Sequence, residues 1–223
     1  MAASFGKLGL TSLPVQQGKP PTMHYDPRKG NGGLPHDPLT ALVIPRPIGW
    51  ISTISATGVV NLAPYSFFNA VAANPPFLMF ASGGRKHSQR NAEHSGEFVH
   101  SLAAWDLRDA MNLSSAAVGP EVSEPELAQL EMAPSVVVKP PRVKRSPVAF
   151  ECKYVKSVDL PGPNGKPHIF QIVIGEVVSI YIDDAVVTNG SIDLSARRPI
   201  ARLGDLDQYT VVDTVFRMKR PPQ

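Results

Sequence analysis

The stretch "VAFECKYV", residues 148–155, constrains the fold more than any other part of the chain. Val148, Phe150, Cys152 and Tyr154 share one side of an extended chain while Glu151 and Lys153 take the other, which is the period of two of a half-buried antiparallel strand. "PGPNGKP" follows at 161–167, rich in proline and carrying Asn-Gly, and leads into the apolar run "HIFQIVIGEVVSIYID". Two such runs joined by a turn of this chemistry predict a long β-hairpin.

Shorter runs repeat the pattern upstream. "IGWISTIS" and "GVVNLA" flank Ala56-Thr57, with Gly58 able to take a positive φ, and predict a second hairpin. "PPFLMFAS" and "GEFVHSL" read as further strands. Helices are fewer: Ser88 is placed to cap "QRNAEH" before Gly96, Asp106 to cap "LRDAMNLSSAA", and Ser123 with Glu126 has capping-box spacing before "LAQLEM". Strands at this frequency with short helices between them predict a mainly β fold, a β-barrel with short helical insertions. Residues 1–38 are rich in Gly and Pro without either period and read as an extended N-terminal arm, leaving 39–223 as one domain of sufficient length for its own core.

Several function classes lose their support at this level. No apolar stretch approaches the roughly 20 residues of a membrane helix, and the N-terminus lacks the apolar segment of a secretion signal, so a soluble, cytoplasmic protein without a membrane role is expected. Cys152 is the single cysteine, which excludes an internal disulfide and thiolate metal clusters. "GNGG" at 30–33 fails the dinucleotide fingerprint because Pro35 stands where its third glycine belongs. Walker A, HExxH and GxSxG patterns are missing, and no His pair has the spacing of a helical metal site, so no metal is expected. The net charge of +3 is small and dispersed. Its densest basic run, "KPPRVKRSP" at 139–147, reads as a solvated connection, and no nucleic-acid partner is expected.

One segment retains chemistry. "SGGRKHSQRN", residues 82–91, packs three cations, two glycines and two serines into ten positions without an acid, directly after a buried strand. Gly83 and Gly84 permit close backbone approach, Arg85 and Lys86 supply cationic donors, and Ser88 opens a helix whose free N–H groups attract an anion. Hydrogen bonds to a charged group contribute about 1.5–3 kcal/mol each, whereas association costs about 4–15 kcal/mol. A phosphate alone therefore holds no ligand tightly, and taken alone the segment also reads as a basic surface loop. Its flanks favour a site. Trp50 stands beside Ser52 and Thr53, and Pro64, Ser66, Phe67, Phe68 and Asn69 cluster nearby, a set suited to a flat heteroaromatic ring carried on a polyol phosphate, although such aromatics by themselves more often pack a core.

These residues sit in three ordered blocks: "VIPRPIGWISTISATGVVNLAPYSFFNAVAANPPFLMFAS", "KHSQRNAEHSGEFVHSL" and "ARRPIARLGDLDQYTVVDTVFRMKRP". Together they resemble the flavin reductase-like, FMN-binding split-barrel family over about residues 40–220. The resemblance implies a split β-barrel of Greek-key type, a homodimer with FMN near the subunit interface, and NAD(P)H as co-substrate. By the same resemblance Trp50, Ser52, Thr53, Pro64, Ser66, Phe67 and Asn69 border the flavin ring and ribityl chain. Ser82, Arg85, Lys86, Ser88 and Asn91 hold the phosphate, and Arg202 lies near the flavin. The family's phosphate segment commonly reads Lys-Asp-Thr where this chain has Lys86-His87-Ser88, so the role of His87 stays open. The activity implied is an NAD(P)H-dependent FMN reductase, its chemistry carried by the flavin with no catalytic side chain, passing electrons to an acceptor such as a monooxygenase. Two other readings stay open: an FMN-binding electron carrier without reductase activity, and a non-catalytic interaction module that uses the basic 139–147 segment.

Overall fold

The computed structural model describes residues 23–36, 38–204 and 207–221. The chain divides into two compact units, Met1–Pro38 and Leu39–Gln223. Of the first, a 3₁₀ turn at Pro27–Lys29 is described, capped by the Asp26 carboxylate on the Arg28 N–H; most of the expected arm, 1–22, lies outside the described residues.

In the second unit the helix α1 (Pro38–Leu42, its first residue closing the preceding unit) leads into strands β1 (Arg46–Pro47), β2 (Gly49–Ile54), β3 (Val60–Tyr65), β4 (Phe68–Ala73) and β5 (Pro76–Gly83). Helix α2 (His87–Ser95) and strand β6 (Glu97–Ser101) follow, then α3 (Arg108–Leu113), α4 (Glu124–Leu127) and the short pair β7 (Met132–Ala133) and β8 (Arg142–Val143). The expected long hairpin is β9 (Val148–Pro161) and β10 (Pro167–Ile182). A small ribbon of β11 (Val187–Thr188) and β12 (Ser191–Ile192) and the strands β13 (Ile200–Arg202) and β14 (Tyr209–Val211) complete it.

Seven strands make one antiparallel sheet in the order β3-β2-β6-β9-β10-β5-β4, and β1-β13-β14 form a second, smaller sheet. The first is rolled. Tyr65 of β3, near one end of the strand order, packs on Phe80 of β5, near the other, with ring centroids 4.8 Å apart, and Phe80 meets Phe98 of β6 edge-on at 5.5 Å. Inside the roll lie Ile51, Leu78, Ala92, Cys152, Val173 and Val177. The strand pattern read from the sequence and this rolled sheet are those of the split β-barrel expected.

Gly175 lets the roll close. It sits at a break in the β9–β10 register, between Ile174 and Gly175, and a Cβ there would fall inside the fully buried ring of Phe98. Gly58 has the expected positive φ, 86°, in the β2–β3 turn.

Helix starts depart from expectation. Helix α2 begins at His87, so Ser88 lies within its first turn and bonds the Asn61 amide; Lys86 is the N-cap and provides no side-chain cap. Asp106 pairs with Arg145 at 2.8 Å and caps nothing, because Arg108–Leu113 is preceded by a 3₁₀ turn that starts at Trp105. Ser123 makes no capping bond, and α4 ends at Leu127 where the sequence suggested a beginning. Two acids are buried. Glu151 receives N–H bonds from Val136, Val137 and Val138 (2.9, 2.6 and 3.1 Å), so a loop folds over that strand face. Glu124 is 4% exposed.

His100 of β6 is enclosed between Phe68 (4.4 Å) and Phe150 (5.5 Å), with Nε2 on the Ile48 carbonyl. Burial pushes its pKa down from 6.5 to about 4, so between those values the unfolded chain binds a proton that the folded one refuses. Folded stability should therefore fall as pH drops from about 6.5 toward 4, with a slope approaching about 1.4 kcal/mol per unit. Urea unfolding across this range, compared between wild type and His100→Gln, measures it; the variant should lose that slope. Gly175→Ala should cost about 1–3 kcal/mol by overpacking, read in the same urea experiment.

Candidate functional site

The sequence between β5 and α2 folds as a tight corner. Ser82 is fully buried and its hydroxyl donates to the Gly84 carbonyl (2.7 Å); Gly84 takes a left-handed φ of 77°, and the chain turns into the helix at once. Because no side chain caps α2, its first N–H groups are left for an outside acceptor.

That helix start opens into a cavity of about 660 Å³, within the range that encloses cofactor-sized ligands. Lys86, His87, Ser88 and Arg90 line the end at the helix. Neither Lys86 nor Arg90 makes an ion pair among the described residues, unlike Arg85, Arg145 and Lys153. Pro64, Tyr65, Ser66 and Phe67 supply one wall, and Ile169 and Phe170 of β10 continue it. The Phe67 and Phe170 rings meet edge-on at 5.4 Å. Ser114–Val118, the segment after α3, forms a second side.

The polar floor is the part the sequence concealed. Glu124 accepts the Leu62 N–H at 3.1 Å, and the Asn61 amide, turned so that both its ends are satisfied, donates to Glu124 (3.3 Å) and accepts from the Ser88 hydroxyl (2.8 Å). Burial raises the pKa of Glu124, while the N–H bonds and the nearby His87 hold it down in part. The Tyr65 hydroxyl is buried beside Ser82 and Ser88; burial raises its pKa, and the two serine hydroxyls hold it down in part.

The residues singled out from the sequence fall into three groups. Pro64, Ser66, Phe67, Lys86 and Ser88 line the cavity. Trp50, Ser52, Thr53, Ser82 and Asn91 do not line it; the first four lie in the layer beneath. The Trp50 indole donates to Ser114 (2.9 Å) and so anchors the second side, Ser52 bonds the Pro141 carbonyl, and Thr53 accepts from Asn91 at 3.1 Å. Asn69 and Arg85 face outward, and Arg202 is directed at Tyr209 (2.6 Å) in the small sheet. Arg85 is held by Glu93 through its Nε at 2.9 Å. Burial alone would raise the pKa of Glu93, but bonds from Ser157, Gln89 and Arg85 outweigh it and hold the carboxyl down, so this pair is a settled surface contact. The cation that takes its place in the cavity is Arg90, one turn beyond Lys86.

Three of the four cations of the basic 139–147 segment are engaged within the chain, two of them in ion pairs. Arg142 stacks over Tyr181 at 3.4 Å, Lys144 pairs with Glu131 and Arg145 with Asp106. No helix among the described residues is long and apolar enough to cross a membrane.

A model of the flavin reductase like domain matches residues 41–195, more than half of the chain. The chain belongs to the flavin reductase-like family. It is 36% identical over 188 residues to an uncharacterized protein of Halalkalibacterium halodurans, covering 82% of this chain and 89% of that one. Among solved structures, nitrilotriacetate monooxygenase component B of Bacillus cereus is 31% identical with a TM-score of 0.80, covering 90% of this chain and all of its own. A Shewanella frigidimarina protein assigned as a flavin reductase with a split barrel domain is 25% identical at a TM-score of 0.77, with the same coverage.

Replacing Glu124 with Ala strips acceptors from the Leu62 and Asn61 donors below the cavity. This should destabilise the protein by about 1–3 kcal/mol, and Glu124→Gln by less, as measured by urea unfolding at pH 7.

Proposed function

We propose that this protein binds FMN in the 660 Å³ cavity and acts as an NAD(P)H-dependent flavin reductase. The observation that carries the reading is the uncapped start of α2, flanked by Lys86 and Arg90 and opening onto a cavity lined by the touching aromatic pair Phe67 and Phe170. An anion at one end and a flat ring at the other match the two ends of FMN, and membership of the family favours a flavin over other ligands of that shape.

In this reading the helix N–H groups, Lys86, Arg90 and the Ser88 hydroxyl receive the phosphate. Ser66 is placed to bond the polyol, while Phe67, Phe170 and Pro64 exclude water from the ring. Trp50, Thr53 and Ser82 keep those groups in position from beneath. FMN held there would supply the redox chemistry, hydride acceptance from a reduced nicotinamide and electron delivery to an acceptor. The side chains orient and shield; no acid or base among them is required to move a proton.

The likeness to a monooxygenase component supports an oxygenase as the acceptor of those electrons. A homodimer is supported by β4, an edge strand whose residues Asn69–Ala73 are all exposed and uncharged, a surface that proteins seldom leave open. Sedimentation should give twice the chain mass.

The purified protein should show flavin absorbance or acquire it with added FMN, and should oxidise NADH or NADPH when FMN is present. Turnover with neither nucleotide would leave flavin binding without reductase activity. Lys86→Ala with Arg90→Ala should weaken FMN by about 100-fold, two charge-assisted contacts being lost. Arg85→Ala should change it less than about twofold, because that guanidinium is bound to Glu93.

A further inference from the structure

The floor of the cavity holds a carboxylate without a counter-ion. Glu124 is 4% exposed and makes no ion pair among the described residues. Its partners are neutral donors, the Leu62 N–H at 3.1 Å on one oxygen and the Asn61 amide at 3.3 Å on the other. The titratable groups that share this end of the cavity are Lys86, His87 and Arg90 of α2 and Tyr65 of β3. A phosphate that engages Lys86 and Arg90 leaves Glu124 as a like charge buried close to it, and a like charge favours the protonated acid.

The Asn61 amide has two orientations available on the same atomic positions. With its oxygen toward Ser88 it accepts the serine proton at 2.8 Å, and its NH2 donates to Glu124 Oε1 at 3.3 Å, which suits an ionised carboxylate. Turned over, its NH2 donates to Ser88 Oγ at 2.8 Å, and its oxygen lies 3.3 Å from Glu124 Oε1. Those two oxygens are both acceptors until Glu124 carries a proton. A serine hydroxyl has a single proton to give, so a Ser88 that donates to a phosphate leaves only the second arrangement.

Given FMN in the cavity as proposed above, we infer that its binding is coupled to the uptake of one proton from solvent by Glu124. Ser88 turns its hydroxyl to the phosphate, the Asn61 amide turns over, and Glu124 Oε1–H donates to the Asn61 oxygen. Glu124 takes no part in the redox chemistry. It makes the affinity for a phosphorylated ligand fall as pH rises, from the pKa of this carboxyl in the free protein up to its higher value in the complex. Burial, which raises that pKa in the free protein, moves the interval toward neutral pH.

Flavin fluorescence titrations between pH 7 and 9 test the coupling, because the FMN phosphate is already a dianion there, its second ionisation lying at about 6. The FMN dissociation constant of wild type should rise about tenfold over this range. That of riboflavin, which lacks the phosphate, should change by less than about twofold. Glu124→Gln, whose amide donates to Asn61 without titrating, should bind FMN at pH 9 within about twofold of its affinity at pH 7, while His87→Gln keeps the wild-type slope. Calorimetry at pH 8 in buffers of different ionisation enthalpy counts the protons on wild type alone, and should show uptake with FMN and none with riboflavin. An FMN affinity flat from pH 7 to 9, a slope that survives Glu124→Gln, or one lost in His87→Gln would overturn the inference and leave the FMN site standing. FMN bound no more tightly than riboflavin, or no flavin bound at all, would overturn the reading of the cavity and this inference with it.

Discussion

The antiparallel ladder between β9 and β10 is the contact from which the rest of the second unit is built. It runs from Val148↔Ile182 to Pro161↔Pro167, and each of its strands then takes one further neighbour, β6 on β9 and β5 on β10. The register break beside Gly175 admits the Phe98 ring, and the sheet curls around it until β3 and β5 meet through Tyr65 and Phe80. Pairing of β4 with β5 sets the β3–β4 corner beside the end of β5, and closure of the roll brings Asn61 of β3 onto Ser88 of α2. The cavity depends on both, and Phe67 and Phe170, a hundred residues apart in sequence, meet in its lining.

The hairpins, the strand following Pro75–Pro76 and the corner at Gly83-Gly84 were legible because each is written in local periodicity and turn chemistry. The polar floor was not. Glu124 sits among acids in a segment that looks solvated, and nothing local tells that β3 lies above it with an unbonded Leu62 N–H. Glu151 was hidden in the same way, its burial depending on a loop that folds back over the sheet. Ile169 and Phe170 are indistinguishable in sequence from other strand residues. Within "SGGRKHSQRN" one distinction was available: once the helix begins at His87, Lys86 and Arg90 fall one turn apart on a common side, while Arg85 precedes the helix and reaches Glu93.

Apart from Asn69, Arg85 and Arg202, which lie elsewhere, the residues taken from the family resemblance divide between cavity wall and support. Trp50 illustrates the second kind. Its indole is fully buried and acts on the cavity only by holding Ser114, which in turn bonds the Met111 carbonyl and fixes the segment after α3. Sequence patterns do not separate the two kinds, because a fixed anchor and a ligand contact are equally intolerant of change. The proposed selectivity for a phosphorylated ligand then rests on a small set of groups at one helix start: Lys86, Ser88, Arg90 and the N–H groups of α2.

That selectivity is measured most directly by the ratio of riboflavin to FMN dissociation constants for the wild-type protein at moderate salt. The two ligands share every group except the phosphate. A cationic helix start that receives it predicts FMN binding tighter by about 100-fold or more; equal affinity for the two would contradict the site described.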